Sequence, residues 1–169
     1  MKLLLIFVSI FSLSFGDSYE GDLSAQEAYD MQKEGKAIIV DVRTTLEYIY
    51  TGHGEGFINI PAYDWTYVPK SVQTRVKSAE YEIKNSKVKE HKSAMKLYDA
   101  KEVRNKEFVK EVMQAMKIRG AQSVILVCRS GPRSKAAANL LSKEGIIAYN
   151  LEDGYIFGWQ KEKMPWGGN

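Results

Sequence analysis

Short apolar runs alternate along this chain with segments whose apolar residues recur every three or four positions. Ala37 to Val42, Ser123 to Val127 and Ile146 to Leu151 are mostly apolar and of strand length. That is the pattern of strands buried on both faces of a parallel sheet. Phe57 to Ile60 predicts a further short strand, closed by Pro61. Helical signals separate these runs. Ser24-Ala25-Gln26-Glu27 and Thr44-Thr45-Leu46-Glu47 read as capping boxes, with Gly35 and Gly52 as the stops and residues 52–56 as a loop. Val72, Val76, Ala79 and Ile83 mark one helical face, and Met95, Leu97 and Tyr98 form a weaker cluster after it. Phe108, Val109, Val112, Met113 and Met116 stripe a helix from about Asn105 to Arg119, ended by Gly120. An alanine-rich helix is predicted from Ser134 to Lys143, with Gly145 past its end. Asp153-Gly154 reads as a turn, and a final short helix carries Tyr155, Phe157 and Trp159. Strands alternating with helices predict an α/β fold with a mainly parallel sheet flanked by helices.

Composition adds the boundaries. The 169 residues are 44% hydrophobic and 27% charged, which fits one globular domain and not a disordered chain. Met1-Lys2, an apolar run from Leu3 to Phe11, and Ser14-Phe15-Gly16 together read as a secretory signal peptide over residues 1–16, cut before Asp17. The run is short for a membrane span, which takes about 20 apolar residues. Cleavage would remove Lys2 and no acid, lowering the net charge from +3 to +2. The expected domain spans residues 17–163, with a basic helical insertion at about 65–107 and a loose tail at 164–169. From Lys70 to Lys106 there are eleven Lys/Arg against five Asp/Glu. The expected location is outside the cytosol, periplasmic or secreted. Such compartments favour disulfides, yet the chain has one cysteine and cannot form an internal bridge.

That cysteine carries the chemistry. Cys128 follows the apolar run Val124 to Val127 and opens Cys128-Arg129-Ser130-Gly131-Pro132-Arg133-Ser134, after which a helix begins. A strand, a short basic loop and a helix N-terminus aim backbone N–H groups and the positive end of a helix dipole at one sulfur. Cations and helix N-termini lower a thiol pKa from its usual value of about 8.5. A lone cysteine at a strand end is more often a small buried hydrophobe, but this loop favours a nucleophile.

These segments together resemble the single-domain rhodanese (thiosulfate sulfurtransferase) family over most of Leu23 to Trp159, apart from the basic segment. The shared pieces are Val40-Asp41-Val42-Arg43 with Glu47-Tyr48, then Gly52-His53 with Phe57 to Pro61, then Phe108 to Val112, and the Cys128 loop. From Cys128 to Arg133 is six residues. In this superfamily that length goes with sulfur transfer, whereas arsenate reductases and cell-cycle dual-specificity phosphatases carry one residue more. The resemblance implies Cys128 as the nucleophile that takes a sulfane sulfur from thiosulfate or a similar donor as a persulfide. A thiol or cyanide-like acceptor then removes it in a ping-pong cycle. It implies Arg129 as the partner of an incoming sulfonate, and Arg133 either in that role or bracing the loop through carbonyls or an acid. Ser130 and Ser134 complete the loop, Gly131 permits its turn, and Pro132 restricts it. No cofactor is implied. Two departures stand out: Glu152-Asp153-Gly154 replaces the paired glycines common in the family, and Gly54-Glu55-Gly56 replaces its usual linker. Asp153 would place a negative charge near the pocket rim.

Other residues take plainer readings. Asp41 and Arg43 read as a structural ion pair or loop brace, and His53 as structural. His91 lies in a charged, solvated stretch. No His/Cys/Asp set has metal-ligand spacing, so no metal is expected. The basic segment reads first as a solvated insertion packing its Val72/Val76/Ile83 face on the domain, and second as a docking surface for a protein partner. No nucleic-acid recognition motif accompanies it. Tyr63, Trp65 and Tyr67, with Tyr155, Phe157 and Trp159, read as core or pocket wall. Two functional alternatives stay open: a sulfur-carrier or binding module with little turnover, and an arsenate reductase- or phosphatase-like enzyme.

Overall fold

The computed structural model describes residues 18–84 and 97–168. The expected signal peptide, His91 and Met95 lie outside these residues. Five parallel strands form the central sheet, in the order β1 (Asp22–Leu23), β8 (Ala148–Leu151), β7 (Ser123–Val127), β2 (Ala37–Asp41) and β4 (Ile58–Asn59). The two central strands are buried along their whole length, as continuous apolar runs require when both faces are covered.

Strand alternation sorts their side chains into two cores. Ile38, Val40, Val124 and Leu126 face α4 (Phe108–Arg119) and α5 (Pro132–Lys143), packing with Phe108, Val112, Ala137, Ala138 and Leu141. Ile39, Ile125 and Val127 face the other way, toward Ala25 and Ala28 of α1 (Ala25–Lys33) and toward Tyr155 and Trp159. Cys128 continues the even-numbered row of β7, so its side chain falls in the α4/α5 core. The fold is therefore a three-layer α/β sandwich with the cysteine at the carboxyl end of a central strand. Both capping boxes form: Ser24 with Glu27 starts α1, and Thr44 with Glu47 starts α2 (Thr45–Thr51).

Several expectations change. Residues 52–56 are not only a loop, because β3 (His53–Gly54) pairs antiparallel with β9 (Trp166–Gly167). The same pairing replaces the loose tail expected at 164–169. Pro165 O accepts hydrogen bonds from Trp159 Nε1 (2.8 Å) and Glu55 N (3.0 Å), and Met164 is buried. Two dipeptides paired across the chain have no periodicity to announce them. The last sheet strand begins at Ala148, two residues later than its apolar run begins, because Gly145 and Ile146 close the end of α5 through backbone bonds to Ser142 O and Leu141 O.

The basic insertion is not simply helical. It is an antiparallel ribbon, β5 (Tyr63–Pro69) with β6 (Tyr98–Arg104), carrying α3 (Val72–Lys84). Seven consecutive residue pairs run from Tyr63↔Arg104 to Pro69↔Tyr98. Val72 and Val76 are 62% and 50% exposed, so these two residues of the expected face do not pack on the domain. Trp65 and Tyr67 are also exposed, not core. A helical period shows that a stretch can form a helix; it does not supply the surface the helix would pack on. Phe157 is likewise exposed, whereas Tyr155 and Trp159 are core. Among the described residues, no helix is long and apolar enough to cross a membrane.

Candidate active site

The cysteine loop leaves β7 and enters α5 almost at once. The helix starts at Pro132, two residues before the expected start at Ser134. Proline suits the first helical position, where its missing N–H has no intrahelical acceptor in any case. Gly131 is the N-cap at φ 108°, a conformation open to glycine and poorly to other residues. A Cβ there would meet nothing within 4 Å, so the requirement is backbone conformation and not space.

This geometry places donors on the sulfur. Gly131 N donates to Cys128 Sγ at 3.2 Å, and Ser134 Oγ lies 3.4 Å from it. Burial pushes the Cys128 thiol up. Hydrogen bonds from the Ser134 hydroxyl and from the Ser134, Ser130 and Gly131 amides outweigh that effect, so the thiol lies below its ordinary value. The residue itself is buried.

The amides face the sulfur because the loop carbonyls are engaged elsewhere. Tyr155 N donates to Cys128 O at 2.8 Å and Ile156 N to Arg129 O at 3.1 Å. Gly131 O accepts from Ser134 Oγ (2.8 Å) and Lys135 N (2.9 Å). Tyr155 and Ile156 open a π-helical segment, Gly154–Trp159, whose first N–H groups have no partner within the segment. Gly154 lets it approach so closely: a Cβ there would meet Cys128 O and Ser130 N at 2.6 Å and Arg129 C at 2.7 Å. Sequence reasoning placed Gly154 in a turn and missed this contact. A glycine just past a sheet strand adjoining the cysteine strand was the available signal. Asp153, before it, is exposed in the left-handed region at φ 57°.

The two loop arginines separate. Arg133 makes a two-pronged pair with Glu47, Nη1 to Oε2 at 2.8 Å and Nη2 to Oε1 at 2.7 Å. Arg133 thus bonds an acid, as a brace would, while its guanidinium also faces the Cys128 sulfur. Arg129 is exposed and has no ion-pair partner among the described residues. Glu47 was read only as a capping residue, and it does both: the Thr44 N–H and hydroxyl also bond its Oε2. Burial alone would raise the Glu47 carboxyl; Arg133 and Thr44 overcome this and hold it at about 2. Its contribution to stability is therefore complete above the ordinary glutamate range and lost as pH falls toward about 2. Thermal melts of Glu47→Gln and the parent are expected to differ at neutral pH and to converge over that acid window. A gap that stays constant to the lowest pH would contradict this coupling.

Asp41 and Arg43 form the floor. Both are buried, and Arg43 Nε reaches both carboxylate oxygens at 2.9 Å while Nη2 reaches Oδ2 at 2.6 Å. Arg43 also donates to Thr51 Oγ1 (2.7 Å) and Gly52 O (2.8 Å), and its guanidinium stacks 4.2 Å from the Tyr155 ring centre. The pair thus ties β2, the end of α2 and the π-helical segment together, as a structural brace. His53 stacks on Tyr48 with ring centres 3.9 Å apart, consistent with the structural role expected of it.

Comparison with solved structures places this arrangement among known folds. The M. tuberculosis protein Rv0390 is similar at 22% identity and a TM-score of 0.58, over 90% of this chain and 100% of that one. A Pseudomonas aeruginosa thiosulfate sulfurtransferase is similar at 18% identity and a TM-score of 0.51, over 88% of this chain and 20% of that one. A rhodanese-related protein from Thermoplasma volcanium aligns over 86% of this chain and 96% of its own, at 20% identity and a TM-score of 0.46. No curated protein matches the sequence. A family model does match: the rhodanese-like domain, over residues 24–162. That span takes in every strand of the central sheet but β1, the two-stranded arm and the cysteine loop, and the chain belongs to the rhodanese-like domain family.

Proposed function

We propose that this chain is a sulfurtransferase that carries a sulfane sulfur on Cys128. The observation that supports it most is the six-residue loop from Cys128 to Arg133, which turns the Gly131 amide onto Sγ and is followed at once by Ser134, whose hydroxyl also faces it. A donor such as thiosulfate enters with its sulfonate toward Arg129, the loop cation left unpaired among the described residues. The Cys128 thiolate attacks the outer sulfur. The donor S–S bond breaks, sulfite leaves with the electron pair, and Cys128 holds a persulfide. The loop amides that stabilised the thiolate then stabilise the persulfide anion. A thiol or cyanide acceptor takes the terminal sulfur and returns the thiolate. Ser130, Gly131, Pro132, Arg133 and Ser134 hold the loop in shape for both steps, and Asp41 and Arg43 support it from below. The proposal includes export, from the apolar run Leu3 to Phe11 and the small residues Ser14 and Gly16. A mature chain starting at Asp17 is the expected product, and a chain recovered only with Met1 would argue against it.

Steady-state kinetics test the cycle. With thiosulfate and cyanide varied together, double-reciprocal plots are expected to be parallel, the mark of a covalent enzyme intermediate formed with release of the first product, sulfite, before the second substrate binds. Intersecting lines, or phosphate-ester hydrolysis faster than sulfur transfer, would overturn the assignment.

A further inference from the structure

Behind Ser134 a chain of polar side chains, which the sulfur-transfer cycle does not use, leads from the buried Ser134 and Asn150 to Asp22 at the surface. Ser134 Oγ is 2.6 Å from Asn150 Oδ1, and Asn150 Nδ2 is 2.8 Å from Asp22 Oδ1. Asp22 and Asn150 are directly paired residues of the neighbouring strands β1 and β8, so their side chains share one face of the sheet. Asp22 is pinned in turn by Lys135 Nζ (2.8 Å) and Tyr19 OH (3.0 Å). Asn150 and Ser134 are both buried.

The chain has a direction. An ionised carboxylate only accepts, so Asp22 obliges Asn150 to turn its NH₂ outward and its oxygen toward Ser134. Ser134 has one hydroxyl proton and three acceptors within reach: Asn150 Oδ1 at 2.6 Å, Gly131 O at 2.8 Å and Cys128 Sγ at 3.4 Å. While Cys128 is a thiol, its S–H can donate to Ser134 Oγ, which passes its own proton to Asn150. When the thiol loses its proton to water, the Ser134 hydroxyl must swing to the sulfur. Asn150 Oδ1 then keeps no donor among the described residues, and leaving a buried acceptor unpaired is costly. We propose that Asn150, oriented by Asp22, is a positioning residue that competes with Cys128 for the single proton of Ser134 and so restrains ionisation of the nucleophile. This rests on the reading that Cys128 works as a thiolate.

Other charged and titratable groups lie on the elements around the same sulfur. Arg129 is on its loop, Arg133 is on α5 with its partner Glu47 on α2, and the Asp41–Arg43 pair is at the end of β2. Tyr155 and Asp153 lie at the segment that closes the loop, and Tyr19, Asp22 and Lys135 at the far end of the chain. A bare substitution of Asp22 would shift the thiol through charge alone, so the test needs a cycle. The ultraviolet thiolate absorbance of Cys128 is titrated against pH, with iodoacetamide alkylation rates as a second readout, in the full chain. Asp22→Asn lets the Asn150 amide turn over and present its NH₂ to Ser134. It is expected to lower the Cys128 pKa by about half a unit to one unit, and to speed alkylation below that pKa about three- to tenfold. Asn150→Ala, which removes the competing acceptor, is expected to shift it the same way. In a Ser134→Ala background, Asp22→Asn is expected to leave only the small shift due to the lost charge, well below the shift in the Ser134 background. An equal shift in both backgrounds would reduce Asp22 to a distant charge and overturn the proposal, as would no shift or a rise in the Ser134 background. Because the readout is ionisation, it answers whether or not the protein transfers sulfur. A normal proton cycle with no sulfur uptake would sink the sulfurtransferase reading alone.

Discussion

Gly154→Ala is expected to cut thiosulfate-dependent turnover by about a hundredfold or more, a size typical of reacting groups displaced by about an ångström. Two independent features produce that effect. The residue is at φ 64°, where an alanine costs on the order of 1–2 kcal/mol of backbone strain. Its new methyl would also fall 2.6 Å from Cys128 O and from Ser130 N. Those are backbone atoms of the cysteine loop, which cannot rotate aside as a flexible side chain would. The loop must shift, and in shifting it loses the bonds from Tyr155 N and Ile156 N that turn its amides inward. The Cys128 thiol should then titrate closer to its ordinary value. Comparing turnover and thiol titration in Gly154→Ala with Gly120→Ala separates loop displacement from general strain. Gly120 has a similar φ of 68° with nothing within 4 Å of its would-be Cβ. Equal activity losses in the two variants would contradict this account of Gly154.

Asp41→Ala is expected to be the most destabilising single change at the site. It leaves the Arg43 guanidinium buried without its counter-charge, a situation that costs about 3–5 kcal/mol in a folded protein. Arg43 cannot lose its proton to relieve this. It cannot easily swing to solvent either, being held by Thr51, Gly52 and the Tyr155 ring. For a chain of this length, a loss of that size lowers the melting temperature by on the order of 10 °C. Replacing both partners, as in Asp41→Leu with Arg43→Met, should cost less than Asp41→Ala alone, because no charge is left stranded. Differential scanning calorimetry of the single and double variants decides it. A double variant much less stable than the single one would show that the arginine's other contacts, and not its charge, carry the effect.

Local signals made much of this legible. The two capping boxes, the apolar runs of β2 and β7, and the Cys128 loop each declare themselves within a few residues, and the structure has them where the sequence puts them. What the sequence left hidden depends on approach between distant segments. Gly154 against the Ser130 amide, Arg133 on Glu47, and Asp22 behind Asn150 join residues 24, 86 and 128 positions apart, respectively. No periodicity relates such partners. The Trp166–Gly167 pairing on His53–Gly54 was missed for the same reason, and so a supported tail read as a loose one. The arm failed differently. Its helical period was read correctly over Val72–Lys84, but a period states which residues share a face and not whether a surface waits opposite. The pairing of Arg133 with Glu47 was hidden because its partner is on another element.

The central claim is that Cys128 carries a transferable sulfur. Intact-protein mass spectrometry tests it most directly, on a chain starting at Asp17 after incubation with thiosulfate and removal of the excess. The account predicts a mass gain of one sulfur atom on the parent, none on Cys128→Ala, and reversal of the gain when cyanide is added. No gain with thiosulfate, polysulfide or a persulfide donor, or an equal gain on Cys128→Ala, would contradict it.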